Sequence, residues 1–179
     1  MPVRVYARMG IGKWHKIEVE DEVTAYVEYA NGATGTFVTT TGDIAGTNRF
    51  EIDFDAGKLV SENGKLMMWK SPVTEQEFTK TSTIPFASPD LTVSEVETDG
   101  KNEQHAGVLN AFAAHLLRGE PLIARGEEGL NELTLSNAMY LSAWLGRMVE
   151  LPFDDELFYQ ELKKRVDVSR YPFDICTLE

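Results

Sequence analysis

Residues 23–41 read VTAYVEYANGATGTFVTTT, and this stretch decides the fold because it predicts a hairpin that is apolar on both faces. β-Branched and aromatic residues flank Asn31-Gly32, a dipeptide typical of the two-residue type I′ turn between antiparallel strands. Aliphatic residues lie on one face of the first strand, and Tyr26 lies on the other. An apolar sheet face needs a cover. We therefore expect helices on one face of the sheet and a partner on the other.

Alternating patterns predict further strands at residues 2–9, 48–54, 58–62, 65–70, 76–82 and 92–98. A second Asn-Gly pair, Asn63-Gly64, predicts another type I′ turn. Eight or so strands joined by short turns indicate a mostly antiparallel sheet.

The spacing of apolar residues changes to that of helices from Asn102, which is of a residue type favoured at the N-cap. One predicted helical face is formed by His105, Val108, Leu109, Phe112 and Leu116. Further helices are predicted at residues 127–148, with a stripe that includes Leu130, Leu133 and Leu141, and from the N-cap Asp154 to Val166. Strands first and helices afterwards predict an α+β fold. We expect a large open sheet with helices packed on one face and the other face available for dimerisation.

Length and charge limit the class of protein. The 179 residues are enough for one domain, which we place at residues 1–179. With 29 acidic and 17 basic side chains the net charge is −12, which disfavours nucleic acid as a partner. No window has the length and apolarity of a membrane span, and no signal-type segment opens the chain, so we expect a cytoplasmic protein. The single cysteine, Cys176, excludes an internal disulfide.

The N-terminal strand begins almost at the first residue, and terminal residues are usually frayed unless they are docked. We therefore expect a further segment upstream. The pair Gly10-Ile11-Gly12 does not predict a dinucleotide site, because the third glycine of that fingerprint is replaced by His15 and strand-like residues follow. We expect no cofactor-binding residues in this chain.

The strongest polar cluster for binding a hydroxylated ligand is Thr47-Asn48-Arg49, which combines neutral donors and acceptors with a fixed cation. The alternative is that Arg49 pairs with acidic residues such as Glu51 or Asp53 on the sheet. His105, in the first turn of its helix, is a further candidate for substrate binding, and a local hydrogen bond is its alternative role.

Other chemistry is not supported by the residue pattern. The three histidines and one cysteine lack the spacing of a metal site, so none is expected. Ser136 and Ser142 lack a histidine–carboxylate pair, which disfavours a hydrolase. Trp14 and Trp69 have the chemistry to stack on a sugar ring, although ordinary burial of a large aromatic is favoured for each. We therefore predict no catalytic residue.

Three segments together resemble the C-terminal portion of the Gfo/Idh/MocA oxidoreductases, the relatives of glucose–fructose oxidoreductase and inositol dehydrogenase. They are VEDEVTAYVEYANGATGTF, then GTNRFEIDFDAGKLVSENGKL, then QHAGVLNAFAAHLLRGEPLIARGEEGLNELTLSNAMYLSAWLGR. The ordered set, more than any single motif, is specific, and it extends over essentially the whole chain.

The resemblance implies a C-terminal α+β domain that contacts substrate and pairs subunits, next to an N-terminal Rossmann domain that binds NAD or NADP. This sequence has no counterpart of the family's glycine fingerprint, its Glu-Lys-Pro lysine or its Asp-x-x-x-His helix. The resemblance therefore predicts the substrate-binding and dimerisation portion of an NAD(P)-dependent dehydrogenase acting on a sugar, polyol or related carbohydrate, inactive by itself. A stand-alone carbohydrate-binding or assembly module of the same fold is the alternative.

Overall fold

The computed structural model describes residues 1–101 and 103–170. These residues form two compact units, one made of Met1–Ile44 with the chain from Leu122 onward, the other of Ala45–Pro121. The α+β class is confirmed, and every strand pair is antiparallel. The strands lie in two four-stranded sheets, where the sequence predicts one large sheet. The single domain over residues 1–179 stays a prediction.

The first unit is built on β1 (Arg4–Ile11), β2 (Glu20–Glu28) and β3 (Thr34–Thr40), with β8 (Val149–Glu150) beside β1 in the order β3-β2-β1-β8. Alternation along the strands separates two faces. The buried face carries Val5, Ala7, Val23, Ala25 and Val27. On the opposite face Tyr6 lies directly across from Tyr26, and each is 37% exposed.

Helix α3 (Gly129–Leu145) covers the buried face with Ala138, Met139 and Leu141. Gly146, in the left-handed region at φ 65°, ends this helix. Helix α4 (Asp155–Val166) follows, and the predicted N-cap is confirmed because the Asp154 carboxylate accepts from the N–H groups of Glu156 and Leu157. The apolar stripe predicted for α3 is only partly buried.

The turn of the first hairpin differs from the prediction. Strand pairing stops at Glu28–Thr34, Gly32 alone has a positive φ, and the N–H of Gly32 donates to the carbonyl of Tyr29. The two-residue type I′ turn is therefore wrong here, and a longer turn is present. The Asn31 side chain accepts from the N–H of Ala33, which stabilises this longer conformation.

The second unit contains β4 (Arg49–Phe54), β5 (Gly57–Glu62), β6 (Lys65–Lys70) and β7 (Thr92–Glu95), in that order across the sheet. The type I′ turn between β5 and β6 is confirmed, since Asn63 and Gly64 both have positive φ. Two helices belong to this unit, α1 (Glu75–Thr81) and α2 (Gln104–Arg118), and a 3₁₀ turn (Gly126–Glu128) precedes α3 in the first unit.

The strand predicted at residues 76–82 is wrong, because this segment is helix α1. Its signal is a capping box: the Thr74 hydroxyl accepts from the N–H of Glu77, and the Glu77 carboxylate accepts from the N–H of Thr74. The predicted N-cap Asn102 lies outside the described residues, as does Cys176. The apolar face of α2 is exposed, with Val108 and Leu109 each more than two-thirds accessible.

Candidate functional site

The predicted binding residues Thr47, Asn48 and Arg49 lie in the second unit, where an exposed loop enters β4. Arg49 is engaged in ion pairs: its guanidinium contacts the carboxylate of Glu51 and, at 2.9 Å, that of Glu62 on the neighbouring strand. The alternative predicted from the sequence is an ion pair of Arg49 with Glu51 or Asp53. The pair with Glu51 is present, and the second partner is Glu62, not Asp53. Substrate binding by these three residues stays a prediction.

Further ion pairs join β4 and β5 next to Arg49. Lys58 contacts Glu51 and lies 3.3 Å from Asp53. The hydrogen bond from Lys58, followed by that from Arg49, lowers the pKa of Glu51. The hydrogen bond to Glu51 raises the pKa of Lys58, and the same carboxylate raises that of Arg49. Arg49, Glu51 and Lys58 therefore remain charged at neutral pH.

His105 lies at the second position of α2 and is exposed. Its side chain makes no hydrogen bond or ion pair with the described part of the chain, and none joins it to Thr47, Asn48 or Arg49. The local hydrogen bond considered from the sequence is thus not seen, and a role for His105 in binding stays a prediction.

A more ordered cluster surrounds Asp21 in the first unit. The carboxylate of Asp21 is fully buried and accepts hydrogen bonds from three successive N–H groups of the loop between β1 and β2. These donors are Lys13 at 3.1 Å, Trp14 at 2.6 Å and His15 at 2.9 Å. A carboxylate that accepts several N–H bonds is stabilised in its charged form. We call residues 12–19 the Asp21 loop.

Burial by itself would raise the pKa of Asp21. The hydrogen bonds from Trp14, His15 and Lys13, together with the nearby His15 ring, outweigh burial and lower this pKa below its ordinary value of 3.8. Asp21 is therefore ionised at neutral pH, and its charge holds the loop.

The Asp21 loop is held at its other end as well. The Tyr140 hydroxyl, on α3, donates to the carboxylate of Glu20, the first residue after the loop, and burial followed by this bond raises the pKa of Tyr140. Glu18 accepts from the Ser169 hydroxyl at 2.5 Å and from the N–H of Arg170 at 3.0 Å. Contacts from three parts of the first unit thus fix the loop conformation.

The side chains of Lys13, Trp14 and His15 are each about half exposed to solvent. Trp14 is 52% exposed, so the burial expected for it is wrong. Its indole N–H donates to Glu22 at 3.3 Å, and the Lys13 ammonium lies 4.8 Å from the ring centroid while donating to both oxygens of Glu22. Hydrogen bonding from Lys13 lowers the pKa of Glu22.

His15 completes the cluster. Its Nδ1 lies 3.2 Å from the Thr41 hydroxyl and 3.6 Å from the Asp21 carboxylate. Half of the His15 side chain is exposed, and its Nε2 contacts no hydrogen-bonding group among the described residues.

This cluster was missed from the sequence, although a signal for it was present. Asp21 is in register with Val23, Ala25 and Val27, so the period of two places it on the buried face of β2. A carboxylate at a buried position requires hydrogen-bond donors. The donors are backbone N–H groups of a loop, which no side-chain pattern identifies.

Two of the excluded chemistries can be compared with the structure. Among residues 1–101 and 103–170, no three His, Cys, Asp or Glu side chains are grouped so that they could hold a metal ion. Ser142 is fully buried and hydrogen-bonded, with no access for a substrate, whereas Ser136 is exposed. Within the same residues, no helix is long and apolar enough to cross a membrane.

Comparison with known proteins identifies the relationship. Residues 1–60 match the model of the GFO/IDH/MocA C-terminal domain. The fold is similar to that of the WlbA dehydrogenase from Chromobacterium violaceum in complex with NADH and UDP-GlcNAcA, with a TM-score of 0.61 and 26% identity over 86% of this chain and 41% of that one. The resemblance to the Gfo/Idh/MocA oxidoreductases is confirmed.

Two further solved structures show the same fold at lower identity. Levoglucosan dehydrogenase, in complex with NADH and levoglucosan, has a TM-score of 0.63 and 17% identity over 86% of this chain and 46% of its own. A protein from Thermotoga maritima has a TM-score of 0.62 and 14% identity over 84% of this chain and 41% of its own. The chain thus spans less than half the length of these solved structures. No curated protein sequence matches it.

Gly10 and Gly12 do not form a dinucleotide site. Gly10 and Gly12 lie at the end of β1, but the Asp21 loop and strand β2 follow them, where a dinucleotide site has a helix N-terminus for the pyrophosphate. A Cβ at Gly12 would meet the carbonyl oxygen of Ile17 at 2.5 Å, so this glycine is explained by the close approach within the loop.

Proposed function

We propose that this chain is the substrate-side and subunit-pairing part of an NAD(P)-dependent oxidoreductase that acts on a sugar, polyol or related carbohydrate. The observation that carries the proposal is the likeness to the WlbA dehydrogenase, whose structure contains NADH and a UDP-linked sugar acid. The likeness to levoglucosan dehydrogenase, at lower identity, supports the fold.

The proposal assigns hydride transfer to a nicotinamide bound elsewhere in a longer cytoplasmic protein. The dinucleotide-binding domain supplies the cofactor, and this chain supplies substrate contacts and the surface for a second subunit. The lack of a fitting dinucleotide site among the described residues supports this division. The chain alone is then inactive.

Subunit pairing is proposed for the face of the first sheet that α3 leaves uncovered. Tyr6 and Tyr26 are cross-strand neighbours on this face, and Val38 on β3, across from Thr24 on the same face, is 69% exposed. Apolar groups clustered on one sheet face are typical of a surface that is covered in an assembly.

The experiment is an assay of the protein translated from the complete natural reading frame. With NAD or NADP and a panel of sugars, sugar acids and polyols, we expect formation of reduced nicotinamide with at least one substrate. The 179-residue chain alone should neither bind nor reduce the cofactor. Reduction of NAD(P) by the chain alone would contradict the proposal, and so would a reading frame that encodes no further domain, which would favour a stand-alone carbohydrate-binding or assembly module.

A further inference from the structure

The Asp21 loop presents an indole at a fixed position in solvent. The buried Asp21 carboxylate receives the N–H groups of Lys13, Trp14 and His15, so the backbone that carries these side chains is held by charge-assisted hydrogen bonds. A buried carboxylate thus holds a segment in which the side chains of Lys13, Trp14 and His15 are each about half exposed.

The indole itself is positioned by close contact. A Cβ at Gly42 would lie 2.5 Å from Cδ2 of Trp14, so the ring rests directly against the Gly42 backbone. The indole N–H of Trp14 donates to the carboxylate of Glu22, and this bond fixes the rotation of the ring. A large exposed aromatic that is already ordered loses little conformational entropy when it binds a ligand.

A carboxylate and an imidazole, those of Glu22 and His15, border the indole. Glu22 accepts from Lys13 and from Trp14, yet a carboxylate has about four acceptor positions and so retains capacity for another donor. His15 uses Nδ1 for Thr41, which leaves Nε2 for a ligand. Gly42 packs against the Trp14 ring and the Lys13 ammonium lies 4.8 Å from the ring centroid, yet 52% of Trp14 is exposed. An exposed indole surface beside a carboxylate and an imidazole is complementary to a sugar ring, whose C–H face stacks on the indole and whose hydroxyl groups bond to the border.

We propose that the Asp21 loop is a carbohydrate-binding subsite in which Trp14 stacks on a pyranose-type ring and His15 and Glu22 bond to its hydroxyl groups. The ligand class rests on the proposed function, whereas the location rests on the loop geometry alone. The subsite lies in the first unit and is separate in sequence from the predicted Thr47-Asn48-Arg49 cluster.

The test is nuclear magnetic resonance of the ¹⁵N-labelled 179-residue chain, in which Trp14, Trp69 and Trp144 each supply one indole N–H signal. Levoglucosan, glucose and glucuronate are titrated in turn. We expect at least one of them to shift the Trp14 signal saturably while the signals of Trp69 and Trp144 stay in place. Absence of any shift at Trp14 up to the solubility of all three sugars overturns the subsite.

Two glycine substitutions provide a matched pair. Gly42→Ala introduces a methyl group that displaces the indole without removing it, and we expect the sugar affinity to fall about tenfold. Gly126→Ala adds a methyl group where nothing lies within 4 Å and should leave the affinity unchanged. Equal affinities for the two variants, both folded by circular dichroism, contradict the proposal.

The outcomes separate this inference from the proposed function. A sugar-dependent Trp14 shift together with a complete protein that reduces no nicotinamide overturns the oxidoreductase and supports the subsite. Activity of the complete protein whose Michaelis constants are unchanged by Trp14→Phe and by Gly42→Ala overturns the subsite and supports the oxidoreductase.

Discussion

The hydroxyl of Ser142 on α3 accepts a hydrogen bond from the N–H of Ala7 on β1 at 2.9 Å, and both residues are completely buried. The same hydroxyl donates to the carbonyl of Arg147 at 2.7 Å. Ala7 is central in β1, so this bond joins the middle of the sheet to the helix that covers it. A buried serine here is a structural link between layers.

Replacing Ser142 should destabilise the first unit. In Ser142→Ala the buried N–H of Ala7 loses its side-chain acceptor, and an unsatisfied buried group costs about 1–3 kcal/mol. We expect a lower free energy of unfolding in urea. Ser136→Ala, at an exposed position of the same helix, is the control and should change little. Equal effects of the two substitutions would contradict the structural role of Ser142.

Removing the charge of Asp21 should release the loop that it holds. Because the pKa of Asp21 is lowered on folding, its contribution to stability is fully present above the unfolded pKa of about 4 and is lost as pH falls through the lower folded value. We expect Asp21→Asn to be less stable than the parent at neutral pH.

The pH dependence provides the measurement. Urea unfolding midpoints of the parent and of Asp21→Asn should converge as pH is lowered from neutral to well below 4. Asp167→Asn, at the C-cap of α4, serves as the control for loss of a carboxylate. A difference between the parent and Asp21→Asn that stays constant over the whole pH range would show that the Asp21 charge does not hold the loop.

The open sheet face should support a dimer. A lysine at Tyr26 would place a charge opposite Tyr6 at the centre of the proposed contact, and we expect Tyr26→Lys to be monomeric by light scattering where the parent is dimeric. Tyr29→Lys is the matched control, because Tyr29 is 38% exposed but lies beyond the strand end. A monomeric parent at tens of micromolar would exclude pairing through this face.

The predicted role of Arg49 can be separated from its ion pairs. In the complete protein, Arg49→Gln should raise the Michaelis constant for the sugar if the guanidinium contacts substrate, and exposed ion pairs alone contribute little to stability. Asn48→Ala and His105→Ala test the predicted substrate binding by Asn48 and by His105 in the same assay. The control is Arg125→Gln, which removes an exposed pair with Glu127. Unchanged Michaelis constants in Arg49→Gln, Asn48→Ala and His105→Ala would exclude these three residues from the substrate site.

Signals within a few consecutive residues correctly predicted a two-residue turn and a helix N-cap. Asn63-Gly64 has the φ angles that its turn requires, and Asp154 caps α4 as predicted. Thr74 and Glu77 carry an equally local helix signal, the capping box, whereas the polar alternating pattern of residues 76–82 predicts a strand that does not form. The strand-then-helix order was also sufficient for the α+β class.

Contacts between distant segments were decided only by the tertiary structure. Ser142 meets Ala7 across 135 positions, and Tyr140 meets Glu20 across 120. Periodicity assigns a face to each residue but not the element that covers it. The Asp21 loop shows the reason most directly: backbone N–H groups are the same for every residue except proline, so only the path of the folded chain brings three of them to one buried carboxylate.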